Sequence, residues 1–199
     1  MSRVALFGLT LLLGCGEVHL EAFTRDVPNA LSEPLLIDDF EDQDTRSAAS
    51  DGYWYQTSDG TGSQDFGIEA RSDRGFGLHA SGVGFRDWGS VIGVNLAGTK
   101  SYFDVTGYRA LRFWARASAA STRTLTVSLL ENNLHYQTEI ELGQEWREYV
   151  FPFQSASVPE GAPPFDPAEL SALQFFVLTE EAFDFWLDDL TFTPDAGAN

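Results

Sequence analysis

The chain predicts an all-β fold, an antiparallel β-sandwich or barrel with one short helix. Three observations carry this. From Leu35 onward, short apolar segments recur between Gly, Asp, Ser and Asn. Within most of them apolar and polar residues alternate with period two, which sorts side chains onto the two faces of a strand. Aromatics are abundant, at 16 Phe, 6 Tyr and 5 Trp in 199 residues. That is enough for a sizeable core and unlike an acidic disordered segment.

Leu35, Leu36 and Ile37 open the first strand. Residues 77–82 read as a strand with a turn at each end, and 90–96 as another. In 110–117, Leu111, Phe113 and Ala115 alternate with Arg112, Trp114 and Arg116. In 124–130 the apolar set is Leu125, Val127 and Leu129. In 136–142, Tyr136, Thr138, Ile140 and Leu142 oppose Gln137, Glu139 and Glu141. Segments 146–153, 173–178 and 183–192 complete the strands; in the second of these Gln174 and Phe176 oppose Leu173, Phe175 and Val177. Only 166–173 carries helix signals, with Asp166 as cap, Pro167 first and Glu169 third.

The N-terminus has the three parts of a secretory signal: the basic Arg3, an apolar run from Val4 to Leu13, and a small residue before Cys15. The run is shorter than the ~20 residues that span a bilayer. Leu12-Leu13-Gly14-Cys15 resembles a bacterial lipobox. The resemblance implies cleavage before Cys15 and its acylation; the alternative is an ordinary signal peptide with an incidental cysteine. Cys15 is the only cysteine, so once lipidated it leaves no thiol for a disulfide. The expected organisation is a signal peptide over 1–14, a tether over 15–34 holding Pro28 and Pro34, a sandwich domain over 35–194 and a tail over 195–199. Attachment is expected through lipid alone. Gly16 is not the aspartate that marks inner-membrane retention, so the outer membrane is the expected address.

The net charge of −18 disfavours nucleic acid and anionic lipid surfaces. It suits neutral ligands, cations or a divalent metal. Two acidic clusters bracket the domain: Ile37-Asp38-Asp39-Phe40-Glu41-Asp42 and Trp186-Leu187-Asp188-Asp189-Leu190. In a jelly roll the first and last strands lie side by side, which would bring these carboxylates together. Like charges so placed are unfavourable unless a cation joins them, and carboxylate with carbonyl oxygen is the ligand set of Ca2+. The alternative is two solvated acidic turns.

The order of several segments carries a resemblance: Ile37-Asp38-Asp39-Phe40-Glu41, Tyr53-Trp54-Tyr55, Leu78-His79-Ala80-Ser81-Gly82, Leu111-Arg112-Phe113-Trp114-Ala115-Arg116, Trp146 before Val150-Phe151-Pro152-Phe153, Leu173-Gln174-Phe175 and Leu187-Asp188-Asp189-Leu190. It resembles the galactose-binding-like jelly roll of carbohydrate-binding modules, above all family 11 and related domains of bacterial surface lipoproteins, over about 35–193. The resemblance implies two facing antiparallel sheets, a structural calcium away from the ligand cleft and a concave face that binds glycan. Carried over by position, Glu41 and Asp189 are the first calcium candidates and Asp39 and Asp188 the next.

Sugars offer flat C–H faces ringed by hydroxyls, which aromatic and polar side chains recognise together. The free face of the 110–117 strand offers Arg112, Trp114 and Arg116, with Trp114 as the expected platform. His135 and Gln137 lie on the polar side of a later strand. Loop aromatics add Tyr53, Tyr55 and Trp88, the last beside Arg86. Trp54 reads as core or loop plug against ligand platform, Trp146 and Trp186 as packing, and His79 as a structural hydrogen-bonding residue. No nucleophile elbow, phosphate loop or histidine-rich metal site is present, and the acidic pairs are better explained by a structural metal than by glycosidase chemistry. The expectation is a monomeric, non-catalytic lipoprotein that binds an oligo- or polysaccharide at the cell envelope. The alternative is a structural or protein-interaction lipoprotein on the same sandwich.

Overall fold

The computed structural model describes residues 33–194. Cys15, the signal peptide, nearly all of the tether and the tail lie outside them. Eleven strands run in the order β1 (Leu35–Asp38), β2 (Trp54–Ser58), β3 (Ser63–Ala70), β4 (Phe76–Val83), β5 (Ser90–Asn95), β6 (Ala110–Ala117), β7 (Thr124–Glu131), β8 (Leu134–Glu141), β9 (Arg147–Pro152), β10 (Ala172–Val177) and β11 (Phe183–Thr193). They form two antiparallel sheets. One has the order β3-β4-β11-β6-β9 with β1 also paired to β11, and the other the order β2-β5-β10-β7-β8. This is the expected sandwich, and no described helix is long and apolar enough to cross a membrane.

The core lies between the sheets, where the alternating apolar sets meet. Phe113, Ala115, Leu187 and Phe192 from one sheet face Val127, Tyr136, Leu173 and Phe175 from the other, all fully buried. Phe113 meets Phe175 edge to face across the gap, 5.6 Å between centroids. Burying each such side chain stabilises the fold by roughly 1.5–3 kcal/mol. Trp54 belongs to this core rather than to a ligand face. Its ring lies against Phe40 and Phe175, and its indole N–H donates to the Asp38 carboxylate at 2.8 Å. That bond ties the end of β1, in one sheet, to β2 in the other.

Two strands were not expected. β2 passes through the aromatic triplet taken as a loop. β3 has the mixed sequence SQDFGIEA, whose outer positions are exposed on a sheet edge, so its alternation is weak. The helix expected over 166–173 is absent. Asp166 accepts from the Ala168 N–H through its side chain and from the Glu169 N–H through its carbonyl, which makes a single turn. Leu170 then pairs with Phe103, and Ala172 enters β10, which bonds to strands on both sides. A continued helix would forfeit both ladders, so tertiary pairing overrides the capping signal.

Two carboxyls are buried, Asp38 at the end of β1 and Asp188 in β11. Burial pushes Asp38 up to about 6 despite bonds from the Phe40 N–H and Trp54. Burial likewise pushes Asp188 up to about 6, with the Arg71 bond working against it. Both folded values exceed the unfolded 3.8, so across that interval the native state holds more protons than the unfolded chain. Stability therefore falls as pH rises through the window from about 4 to 6. The thermal midpoint, followed by circular dichroism, is expected to be higher at about pH 5 than at about pH 7.5. A higher midpoint at neutral pH would show that neither ionised carboxylate burdens the fold.

Candidate functional site

In the five-stranded sheet one face of every strand enters the core and the other forms an outer face, whose central positions Val91, Thr126, Ser128, Ala172 and Gln174 are themselves buried. The pairing aligns the outer positions into straight rows. The central row is Tyr55, Gly93, Gln174, Ser128 and Gln137, each opposite the next. One neighbouring row is Thr57, Val91, Phe176, Thr126 and Glu139. The other is Asn95, Ala172, Leu130 and His135, with the Tyr53 carbonyl accepting from the Asn95 N–H at its end.

The centre of this face is built around a missing side chain. A Cβ on Gly93 would stand 2.8 Å from Cζ and Oη of Tyr55, so the tyrosine ring lies down across Gly93. Its hydroxyl accepts from Nε2 of Gln174 at 2.8 Å. Burial raises the Tyr55 pKa, with the Gln174 bond acting against it, and the phenol stays protonated at neutral pH. Oε1 of Gln174 is buried and makes no well-formed hydrogen bond among the described residues, though its interaction with His135 works to raise that ring's pKa. A buried acceptor without a donor costs about 1–3 kcal/mol. Gln174 belongs to the outer face of the sheet but is itself buried, 7% exposed as a residue.

Beside Gln174, Ser128 Oγ and His135 Nδ1 are 3.3 Å apart, and His135 meets Phe176 edge to face. Burial holds His135 below the ordinary histidine range, with Gln174 working the other way, so it is neutral at pH 7. The three rows contain no Lys or Arg and one carboxylate, Glu139. Flat aromatic surface, amide and hydroxyl groups therefore dominate, and charge is nearly absent.

Of the expected ligand residues, Tyr53, Tyr55, His135 and Gln137 are brought together here. Arg86 and Trp88 sit on the β4–β5 loop, with Trp88 exposed. Asp59 fastens that loop by accepting from the N–H groups of Asp87 and Gly89, both at 2.9 Å. Arg112, Trp114 and Arg116 are not brought together with Tyr53, Tyr55, His135 and Gln137. They lie on β6 in the other sheet, on its outer side, so they face away from His135 and Gln137. Alternation tells inside from outside but not which sheet a strand joins. Arg112 pairs with Glu148 at 3.1 Å, and Arg116 lies near the rings of Trp146 and Trp186. Trp186 stacks on His79 at 4.4 Å, while His79 bonds Glu69 and Asp184, in keeping with packing and structural roles. Gly93 and Ser128 went unrecognised. An isolated glycine inside an apolar strand was the available signal, since it marks a close approach.

The acidic clusters do converge, with Asp38 opposite Leu190 where β1 meets β11. Their carboxylates already have protein donors. Asp188 binds Arg71, Asp189 binds Arg74, Glu41 accepts from the Phe76 N–H at 3.0 Å and Asp39 from the Glu41 N–H at 3.3 Å. Among the described residues no group of three or more His, Cys, Asp or Glu could hold a metal ion. As placed, these residues do not fit the implied calcium.

No protein-family profile and no curated protein matches the chain. Solved structures do. The family 11 carbohydrate-binding module from Clostridium thermocellum, in complex with a β-1,3-1,4-mixed-linked tetrasaccharide, is 16% identical over 80% of this chain and 95% of that one, with a TM-score of 0.59. The family 30 module of a cellulosomal cellulase of Clostridium thermocellum is 13% identical over 83% and 99%, with a TM-score of 0.58. An exo-β-agarase matches at 9% identity and a TM-score of 0.59 over 82% of this chain but 26% of its own. At these identities the likeness establishes the fold, a jelly roll of the carbohydrate-binding-module type.

Gly93→Ala is expected to lower stability in urea unfolding by about 1–3 kcal/mol, because the new methyl displaces the Tyr55 ring. Adding Tyr55→Ala should recover part of that loss. Equal unfolding of Gly93→Ala and wild type would mean that the ring does not rest on Gly93.

Proposed function

We propose that this protein is a non-catalytic carbohydrate-binding module whose ligand is a neutral oligo- or polysaccharide held on the outer face of the five-stranded sheet. One observation carries the reading: the ring of Tyr55 lies flat across Gly93 in a row of uncharged polar side chains, held there by Gln174. A sugar presents a flat apolar face to the half-buried ring and, at its rim, hydroxyls to the part-exposed Gln137 and His135. Phe176, half-buried in the neighbouring row, adds apolar contact. The absence of Lys and Arg from the face favours an uncharged ligand over uronates or sulfated chains. Glycoside hydrolysis ordinarily uses two carboxyl groups flanking the bond, and the three rows offer one. The fold supports the same reading, because structural neighbours of the chain are carbohydrate-binding modules.

Display follows from the N-terminus. The lipobox-like sequence ending at Cys15 supports a lipid anchor at the cell envelope, with the outer membrane as its address. The acidic chain itself has little affinity for anionic membrane.

The test is binding of the purified protein to a panel of neutral and acidic polysaccharides by affinity electrophoresis, followed by titration calorimetry. A neutral glycan is expected to bind. Tyr55→Ala and Gln174→Ala should each weaken it roughly tenfold or more, the equivalent of about 1.4 kcal/mol, while Trp114→Ala leaves it unchanged. Binding lost with Trp114→Ala and kept with Tyr55→Ala would move the site to the other sheet. A folded protein that retains no glycan would end the carbohydrate reading.

A further inference from the structure

The acidic junction holds a cation of its own. Arg71 opens the loop between β3 and β4, and its side chain is only 2% exposed, extraordinary burial for a guanidinium in so acidic a chain. It lies across Gly77, where a Cβ would stand 3.3 Å from Arg71 Cδ. Nη1 binds the buried Asp188. Nε and Nη2 bind the two oxygens of Asp73 at 3.0 and 2.7 Å. Trp146 covers the other side, its ring centroid 3.8 Å from the guanidinium carbon. The same loop sends Arg74 to Asp189 and presents the Phe76 N–H to Glu41. It therefore closes over both clusters that the jelly-roll resemblance links to calcium.

We propose that Arg71, supported by Arg74, is the resident cation of this junction and takes the neutralising role that the resemblance gives to calcium, so that the domain is stable without metal. The chemistry is coherent. A divalent ion at Asp188 would stand beside a buried guanidinium and be repelled by it. The guanidinium offers donors to two carboxylates in a fixed fork, which an ammonium could not match. The indole over it excludes water and adds cation–π attraction. The proposal is independent of sugar binding.

The experiment is thermal unfolding of the purified protein in calcium and in chelator, for wild type, Arg71→Met and Arg71→Met with Asp188→Asn, with calcium titration of wild type by calorimetry. Wild type should show one midpoint in both buffers and no saturable calcium heat. Arg71→Met strands a buried carboxylate, and its midpoint should fall by roughly 10 °C. The double variant should recover part of that fall, because the stranded charge is gone. A wild-type midpoint raised by calcium, or a saturable calcium heat, would overturn the proposal even if Arg71→Met fails to fold. A double variant no more stable than Arg71→Met would also overturn it, because Arg71 would then act by packing alone.

Discussion

The packing of one sheet's inner face on the other governs the rest of the structure. Phe113 against Phe175, with Leu187, Val127 and Tyr136 around them, requires each strand to commit one of its two side-chain sets to the gap. The other set is thereby freed and aligned by the ladder bonds into rows. Both outer faces are by-products of this core.

The two outer faces use the same device and end differently. In each, a glycine inside a strand lets a long side chain from a neighbouring segment lie flat. Tyr55 crosses Gly93 on one side, and Arg71 crosses Gly77 on the other. On the arginine side the surface is then closed: carboxylates occupy the guanidinium donors and Trp146 covers it. On the tyrosine side Tyr55, Phe176, His135 and Gln137 stay part-exposed around a buried Gln174. Nε of Arg112 and of Arg116, on the arginine side, are, like Oε1 of Gln174, buried without a hydrogen-bond partner.

The sheet strands with strong alternation were legible because burial on one side writes itself into the sequence with period two. β6, β7 and β8 are of this kind. β3 was not legible, since an edge strand with exposed positions needs few apolar residues. The turn at Asp166 imitates a helix start because capping is local, whereas the pairing that converts the segment to β10 is not. For the site, Tyr55, His135 and Gln137 were visible as polar or aromatic residues on free faces. The placement of Trp114 was not, because alternation carries no record of which sheet a strand joins. Gln174 opposes its strand's core set in the sequence, yet its central importance depends on Tyr55 reaching it across β5, a contact 119 residues apart in the chain. The acidic clusters were read as a cation site, and the cation in place comes from a loop that neither cluster announces.

The most direct test is to map a bound neutral glycan residue by residue, by titrating it into isotopically labelled protein and following backbone and side-chain amide resonances. The account predicts that the largest shifts fall on Tyr55, Gly93, Gln174, Ser128 and Gln137, including the Gln174 side-chain amide, with Arg112, Trp114 and Arg116 unmoved. Shifts concentrated on β6 and around Trp186, with the Gln174 row silent, would contradict it.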